Sequence, residues 1–332
     1  MGAANQAERA DGRMRLTVLG GFLGSGKTTW LRHQLHVGLY EDALVIVNEA
    51  AETAVDDVLL AQSSKLAVLA GGCACCTART ELVRLLRTIC DERTRTSSRG
   101  ERLARIVLET SGLADPGPIV AAIQSDPVLV NHIVVHEIIV VVDALHALAQ
   151  LRADLLGRRQ IESADHLVIA KVDAVETAGL ARLITTLSVL NPGAGLSGAV
   201  KGTPLELPTA ATIEPESLPR LDRETEQPLL FPTKLRIDGP IDWITFGVWL
   251  SALLHARGDD VVRVKGVART PAGRLLLQSV RKVVQSPEIL PEQEDDDDRE
   301  DNTIVVIGRG YRAEDLQRSL ARFAGASQGS RD

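Results

Sequence analysis

The chain has 332 residues, 45% of them hydrophobic, which is more apolar material than one ordinary core accommodates. Its net charge is -7 and only 3% of its residues are aromatic, whereas nucleic-acid and anionic membrane surfaces select for clustered Lys and Arg. We therefore expect a globular protein of two domains, with neither a nucleic acid nor a membrane as its partner.

The N-terminal end lacks the apolar segment of a signal peptide, so we predict a disordered tail over residues 1–13 and a cytoplasmic location. The most hydrophobic stretch, residues 132–149, is interrupted by His136, Glu137 and Asp143 before it reaches the thickness of a bilayer. In a reducing compartment, closely spaced thiols favour metal or redox chemistry over structural disulfides.

Short apolar runs alternate with helical patterns from residue 14 onward. The runs are MRLTVLG, ALVIV, LAVLA, RIVLE, IIVVVD and LVIA, and the helical patterns cover residues 27–36, 78–90 and 177–190. Strands without polar alternation are buried on both faces, as they are in a parallel sheet with crossover helices. The sequence predicts a doubly wound α/β domain with a mostly parallel sheet over residues 14–203.

A linker and a smaller domain follow. Residues 204–228 are rich in Pro, Glu and Thr and have no apolar periodicity, which is typical of a linker. The predicted elements after it are a strand TKLRI, a helix that begins at Asp242, strands near 261–267 and 274–284, a strand TIVVIG and a helix near 312–323. They indicate an α+β domain over residues 229–326. Its acidic run, residues 292–301, predicts a solvated loop, and a cation-collecting loop is the alternative.

The segment GFLGSGKT, Gly21 to Thr28, fits the P-loop pattern G-x-x-x-x-G-K-[ST], and it follows a strand and opens a helix as that motif requires. Its glycines allow backbone N–H groups to point at phosphate oxygens, while Lys27 bridges the β- and γ-phosphates and Thr28 ligates Mg²⁺. A glycine-rich turn is the alternative. The pattern predicts a P-loop NTPase whose phosphate site consists of Gly21, Gly24, Ser25, Gly26, Lys27, Thr28 and Thr29.

Glu109 follows the apolar run RIVL and begins an E-x-x-G element that ends at Gly112. In the GTPase arrangement such an acid holds a water on Mg²⁺, and the glycine N–H meets the γ-phosphate. We predict that Lys27 and Glu109 are catalytic and that Gly112 contacts the nucleotide. A role for Glu109 as the cap of the next helix is the alternative. Asp143, another strand-end acid, is predicted to be structural.

The segment LVIAKVD resembles the N-K-x-D element that reads guanine. A carboxylate at Asp173 accepts from the ring N–H and the 2-amino group of guanine, a donor pair that adenine lacks. Ala170 replaces the usual Asn, so we expect weaker discrimination of GTP from ATP. An exposed strand-end pair of Lys171 and Asp173 is the alternative.

Cys73, Cys75 and Cys76 lie together in the loop sequence GGCACCTA. Three local thiolates suit Zn²⁺ and other borderline or soft ions, and they leave a fourth coordination position open. A disulfide between Cys75 and Cys76 would be strained. We predict a metal site, with inert buried cysteines and redox chemistry as the alternatives. Cys90, on the helix that follows, is predicted to be a packing residue.

Acidic residues lie between the P-loop and the cysteines, where a GTPase carries its first switch. The candidates in IVNEAAETAVDD are Glu49, Glu52 and Asp56. We predict that Glu52 reaches the cysteine-bound ion while its neighbours sense the nucleotide, which would couple the two sites. A solvated acidic turn is the alternative.

Taken in order, GFLGSGKT, NEAAETAVD, GGCACCTARTEL, ETSGLADPGPI, VVVDALHA and AKVD resemble the CobW-like family of P-loop GTPases, which serves metalloenzymes. VKGVARTPAGRLLLQSVRKV and TIVVIG are similar to that family's C-terminal domain, so the resemblance covers nearly the whole chain. It implies slow GTP hydrolysis, metal bound at the cysteine motif, and delivery of Zn²⁺ or Co²⁺ to a client metalloenzyme. By motif position it assigns Gly21 to Thr28 to phosphate and Mg²⁺, Cys73, Cys75 and Cys76 to metal, Glu109 to hydrolysis, and Lys171 with Asp173 to guanine.

The sequence departs from the family pattern at the first switch. N-E-F-G-E-x-G-x-D is usual there, whereas Ala50, Ala51 and Ala54 replace the Phe and both Gly, so we expect a smaller switch movement. A histidine-rich loop is absent, and the N-terminus lacks the hydrophobic proline motif by which some relatives engage methionine aminopeptidase. That client is therefore disfavoured.

Two other functions fit parts of the pattern. A P-loop phosphotransferase acting on a small molecule needs an arginine-rich lid, for which residues 91–105 are the candidate. A non-catalytic metal buffer or sensor would keep the cysteines beside a vestigial nucleotide site. The combined motifs predict a GTP-dependent metallochaperone, and these two functions are the alternatives to it.

Overall fold

The computed structural model describes residues 12–48, 65–69, 77–96, 103–208, 213–219, 230–237, 243–257, 260–270, 273–280, 282–285, 287–290 and 302–328. These residues divide into two compact units, of which the first covers residues 13–225 and the second begins at residue 226. Each unit has a sheet and a hydrophobic core of its own.

The sheet of the first unit has eight strands within the described residues. They are β1 (Met14–Gly21), β2 (Ala43–Asn48), β3 (Lys65–Leu69), β4 (Arg105–Glu109), β5 (Ile133–Asp143), β6 (His166–Ala170), β7 (Gly195–Val200) and β8 (Thr203–Leu205). Their order is β3-β2-β4-β1-β5-β6-β7-β8, and each neighbouring pair is parallel except β7 with β8. The prediction of a mostly parallel sheet is confirmed.

Burial explains why the strands lack polar alternation. In the central strand β1, seven of the eight residues are buried, because helices cover both faces of a doubly wound sheet. The helices of this unit are α1 (Lys27–His36), α2 (Thr77–Thr96), α3 (Pro116–Ser125), α4 (Leu129–His132), α5 (Ala147–Ala153), α6 (Leu155–Ser163) and α7 (Thr177–Leu190), with a 3₁₀ turn at Val172–Ala174. Aspartates begin two of them, because Asp115 accepts from the Gly117 N–H and Asp154 accepts from the Leu156 N–H.

The antiparallel edge strand β8 lies where the sequence predicts the start of a linker. Lys201 and Gly202 have φ angles of 50° and 91°. Two consecutive left-handed residues form the tight turn that joins β-hairpin strands, so the chain reverses and pairs with β7. The sequence TPL does not reveal this pairing, because proline is disfavoured inside a sheet. An edge strand such as β8 tolerates it.

As far as its residues are described, the second unit is an antiparallel sheet with two helices. Its elements are β9 (Leu230–Arg236), α8 (Trp243–Arg257), β10 (Val261–Thr270), β11 (Gly273–Val280), β12 (Val283–Val284), β13 (Glu288–Leu290), β14 (Thr303–Arg309) and α9 (Ala313–Gln328). The strand order is β12-β11-β10-β14-β9, and β13 pairs with β11. Phe246, Trp249 and Leu250 of α8 are buried in its core. The predicted smaller α+β domain is confirmed in its fold class.

One predicted strand of this unit is divided in the structure. The pattern near 274–284 reads as a single strand, but β11 ends at Val280, and Val283 pairs back with it. A hairpin keeps both apolar segments in the sheet, whereas a straight strand would extend them past the edge of the core. Within the described part of the chain, no helix has the length and apolar character needed to cross a membrane.

Candidate functional site

The P-loop follows β1 at the carboxyl edge of the parallel sheet. Gly21, Gly24 and Gly26 have φ angles of 135°, 75° and 97°. Glycine is required at Gly21 for a second reason, since a methyl group there would lie 2.4 Å from the Val141 carbonyl oxygen. The loop therefore has the left-handed residues that aim backbone N–H groups at an anion, and α1 begins directly after it.

Polar side chains line the inside of this loop. Lys27 is 8% exposed, and its ammonium donates to the carbonyl oxygens of Gly21 and Phe22 at 2.9 and 3.0 Å. Ser25 is buried, and its hydroxyl has no hydrogen-bond partner among the described residues. Thr29 is exposed on α1. A buried cation and an unsatisfied buried hydroxyl suit an anionic ligand with several acceptor oxygens.

Thr28 and Glu109 are brought together from residues far apart in the chain. The Thr28 hydroxyl donates to Glu109 Oε1 at 2.6 Å, and Glu109 is only 4% exposed. Strand β4 ends beside β1, in a register that pairs Glu109 with Leu19. The alternative reading of Glu109 as a helix cap is wrong, because Asp115 caps the next helix.

The E-x-x-G loop packs against the P-loop. The Thr110 N–H and hydroxyl both donate to the Leu19 carbonyl oxygen, at 2.9 and 3.1 Å. A methyl group on Gly112 would lie 2.5 Å from the Leu23 nitrogen and 2.7 Å from its Cα. Only glycine permits this approach of two backbones, so a displacement of one loop is felt directly by the other.

Lys171 follows the end of β6 and contacts the P-loop, so a third strand contributes to the site after β1 and β4. Its backbone is left-handed, with φ of 61°, and its ammonium donates to the Gly24 carbonyl oxygen at 2.9 Å and to Asp143 Oδ2 at 2.8 Å. Lys171 therefore contacts the P-loop although its side chain is 40% exposed, and the alternative of an exposed strand-end pair with Asp173 stays open. Asp173 lies exposed on the following 3₁₀ turn. Ala170 faces the loop, since a methyl group on Gly26 would lie 3.8 Å from the Ala170 Cβ.

Asp143 is the anchor of this arrangement. Burial by itself would raise the pKa of Asp143, but hydrogen bonds from Lys171, His146 and the Leu145 N–H outweigh it and hold the pKa below its ordinary value. The carboxylate is thus ionised and holds Lys171 against the P-loop. The sequence predicts a structural role for this acid, and the pattern of strand-end acids is the signal that points to it.

A residue without a sequence signal also contacts the site. Gln160 of α6 donates to the carbonyl oxygens of Gly112 and Ala114. No spacing or motif in the sequence connects a helical glutamine with a loop 46 residues before it. Only the packing of α6 identifies this contact.

The predicted metal ligands Cys73, Cys75, Cys76 and Glu52 lie outside the described residues. Among the residues that are described, no group of three or more His, Cys, Asp or Glu side chains is arranged to hold a metal ion. Cys90 is buried on α2, and desolvation raises the pKa of its thiol to about 11. That environment fits the packing role predicted for it.

Comparison with known proteins identifies both units. Residues 15–197 match the CobW/HypB/UreG nucleotide-binding domain, and residues 233–324 match the cobalamin synthesis protein cobW C-terminal domain. The chain belongs to the CobW/HypB/UreG family. The predicted family resemblance and the P-loop NTPase fold class are thereby confirmed.

Individual relatives extend over nearly the full length. The chain is 30% identical to the zinc chaperone YjiA of Escherichia coli, over 93% of this chain and 98% of that protein. It is 31% identical to the zinc chaperone CobW of Pseudomonas aeruginosa, over 81% of both chains. The crystal structure of Zn(II)-bound YjiA GTPase from E. coli has the same fold, with a TM-score of 0.56 at 22% identity, over 94% of this chain and 99% of that one.

Proposed function

We propose that this CobW-family chain is a GTP-hydrolysing metallochaperone, which binds Zn²⁺ or Co²⁺ through Cys73, Cys75 and Cys76 and delivers the ion to a client metalloenzyme. The metal half of the proposal rests on the three clustered thiols of the sequence and on the two relatives named as zinc chaperones. Thiolates bind Zn²⁺ more readily than they bind harder cations such as Mg²⁺.

The observation that carries the nucleotide half is the meeting of three separate motifs at one sheet edge. Thr28 contacts Glu109, and Lys171 contacts Gly24, so the P-loop touches both the E-x-x-G and the A-K-V-D segments. Unrelated strand-end residues would not need to converge in this way. Convergence on a phosphate-binding loop supports a nucleoside triphosphate as the ligand.

Each group of the site has a chemical role in this proposal. Lys27, the Ser25 hydroxyl and the N–H groups that open α1 bind the β- and γ-phosphates, whose charge they neutralise as it shifts toward the leaving group. Thr28 and Glu109 fit Mg²⁺, because hydroxyl and carboxylate oxygens are ligands that this ion prefers. When bound, Mg²⁺ supplies further neutralisation of phosphate charge. The carboxylate of Glu109, which is predicted to be catalytic, would act through a water at this Mg²⁺ site.

Base recognition is assigned to the turn after β6. Lys171 ties this turn to the P-loop, and Asp173 is exposed on it, where its carboxylate is accessible to the donor edge of guanine. Ala170 supplies no amide to support the base. The preference for GTP over ATP is therefore smaller than it would be with Asn at this position.

We assign Glu52 as the acid that completes the ion site. It belongs to the predicted first switch, so bound nucleotide and bound metal act on one segment. Such coupling between two sites typically amounts to about 1 to 3 kcal/mol. GTP hydrolysis then changes metal affinity and releases the ion to the client.

The test is the Zn²⁺ affinity of the full chain in the presence of a non-hydrolysable GTP analogue and in the presence of GDP. We expect the two affinities to differ by about fivefold or more, the range of a coupling energy of this size. Cys75→Ala should abolish stoichiometric Zn²⁺ binding, while Cys90→Ala, the matched control, should retain it. Zn²⁺ binding that survives in Cys75→Ala would contradict the proposed metal site.

The same samples are used to measure GTP hydrolysis. The quantity measured is the phosphate released in the presence of Mg²⁺ and GTP. Lys27→Ala should abolish turnover, and Lys265→Ala, a lysine of the second unit, should not. Zn²⁺ binding without any turnover of GTP would favour a buffer or sensor instead. Phosphate transfer to a small-molecule acceptor in place of release would favour a phosphotransferase.

A further inference from the structure

A buried glutamine outside the sequence motifs holds the loop that follows Glu109. Gln160 lies on α6 and is 1% exposed. Its Nε2 donates to the Ala114 carbonyl oxygen at 2.8 Å and to the Gly112 carbonyl oxygen at 3.3 Å. A buried amide that holds two backbone carbonyls restricts the loop at the residue that contacts the P-loop.

Among the described residues, the other hydrogen bonds of this loop lie at its two ends and within the loop itself. At its start, Thr110 donates to the Leu19 carbonyl oxygen of β1. At its end, Asp115 caps α3, and the Ala114 N–H closes a turn onto the Ser111 carbonyl oxygen. The bonds from Gln160 therefore join this loop to α6. That helix does not adjoin the loop in the sequence, since the loop runs from β4 to α3.

The same helix is fastened to a segment on its other side. Arg158 of α6 is 6% exposed, and it donates to the Leu151 carbonyl oxygen at 2.8 Å and to the Pro219 carbonyl oxygen at 2.6 Å. Pro219 belongs to segment 213–219, which precedes the end of the first unit at residue 225. The Glu216 N–H of this segment donates to the Thr186 hydroxyl at 2.8 Å.

The helix between these contacts is a short, continuous element that is held at one end. Its C-terminal end is fixed by Asn191, which donates to the carbonyl oxygens of Ile161 and Ala164 at 2.7 and 2.9 Å. Gln160 and Arg158 lie two residues apart on one short helix of nine residues. Consecutive backbone hydrogen bonds restrain the φ and ψ angles between Arg158 and Gln160, so a displacement of one residue is passed to the other.

We propose that Gln160 is a positioning residue for the loop at Gly112, and that α6 carries the position of this loop to segment 213–219 through Arg158. The inference rests on the proposed role of Gly112 in sensing the γ-phosphate. When the Gly112 N–H engages a γ-phosphate, the two carbonyl bonds displace Gln160 with the loop. GDP has no γ-phosphate and leaves the loop and α6 in place.

The first test compares affinities for a GTP analogue and for GDP in the full chain. Gln160→Met keeps the length of the side chain and removes both donors, so we expect the preference for the GTP analogue over GDP to fall about tenfold, with GDP affinity unchanged. Gln34→Met is the matched control, since Gln34 is a buried glutamine near the C-terminal end of α1 and donates to the Gly202 carbonyl oxygen at 3.0 Å. Equal losses for both nucleotides would identify a merely structural role and contradict the inference.

The second test is hydrogen exchange in peptides that cover segment 213–219. In the unmodified chain, exchange with the GTP analogue should differ from exchange with GDP by about threefold or more. This difference should vanish in Gln160→Met and persist in Gln34→Met.

The two proposals fail in different ways. If the chain hydrolyses GTP and segment 213–219 exchanges identically in both nucleotide states, the coupling through α6 is wrong and the proposed function stands. If the unmodified chain binds neither nucleotide, the proposed function is wrong and this inference falls with it.

Discussion

At the scale of single residues, Asp143 positions the turn that follows β6. Its carboxylate holds the Lys171 ammonium at 2.8 Å while that ammonium also reaches the Gly24 carbonyl oxygen. The aspartate is 4% exposed, whereas the Lys171 side chain is 40% exposed, so water reaches the cation of this pair more readily than the carboxylate. Removing the carboxylate therefore leaves a partly solvated ammonium in place of an ion pair.

We therefore expect Asp143→Asn to lower the free energy of unfolding by about 1 kcal/mol at pH 7, less than a fully buried bond to a charged group contributes, because the Lys171 ammonium is partly solvated. Because the pKa of Asp143 is depressed in the folded state, this contribution is present above the ordinary aspartate pKa of about 3.9 and is lost as the pH falls through the folded value. Urea unfolding of both chains at several pH values measures it.

Asp154→Asn is the matched control for this change. Asp154 caps α6 through the Leu156 N–H at 2.8 Å, and asparagine caps a helix equally well. Its unfolding free energy should stay near that of the unmodified chain at pH 7. A loss in Asp143→Asn that persists unchanged under acidic conditions would contradict the assigned ion pair.

At the scale of elements, the site depends on loops that contact each other through their backbones. The E-x-x-G loop rests on the P-loop where Gly112 meets Leu23. Both loops leave the carboxyl ends of neighbouring parallel strands, β1 and β4. Ligands of doubly wound sheets bind outside the carboxyl ends of the strands, which is the edge that both loops occupy. The spacing of the two motifs in the sequence gives no indication of so close a contact.

Gly112→Ala should separate these loops, because its methyl group would lie 2.5 Å from a backbone nitrogen that cannot rotate away. We expect a loss of about 2 kcal/mol in unfolding free energy and a GTP affinity lower by at least about tenfold. Thermal unfolding and nucleotide titration of the same sample measure the two effects.

Gly157→Ala provides the comparison within the same unit. Gly157 lies in α6, and its added methyl group would meet only Leu151 Cδ2, at an ordinary distance of 3.8 Å. Alanine in a helix should stabilise by about 0.5 kcal/mol and leave nucleotide affinity unchanged. Wild-type GTP affinity in Gly112→Ala would show that the contact of the two loops does not position the nucleotide.

At the scale of the whole molecule, the two units have separate cores. Trp30 lies in the core of the first unit, whereas Trp243 and Trp249 belong to the second. These are the only three tryptophans of the sequence. Each unit can therefore be followed by its own fluorescence after substitution of the other tryptophans.

We expect Mg²⁺ with a GTP analogue to stabilise the first unit alone, because a ligand stabilises the folded state to which it binds. At about 100 times the dissociation constant, the gain is about 2.7 kcal/mol. The measurement is thermal unfolding of Trp243→Phe/Trp249→Phe, which reports the first unit, and of Trp30→Phe, which reports the second. Equal shifts of both transitions would contradict a nucleotide site confined to residues 13–225.

Local patterns in the chain are sufficient to predict the α/β class, the P-loop and the strand-end acid Glu109. Strand burial imposes a hydrophobic pattern on contiguous residues, and phosphate binding fixes the positions of glycines within one short segment. Both signals are local, so they can be recognised without knowledge of the fold. The contacts of Asp143, Gln160 and Arg158 join residues 28, 46 and 61 positions apart. Hydrogen bonds over such separations depend on which elements pack together, and that packing exists only in the folded chain.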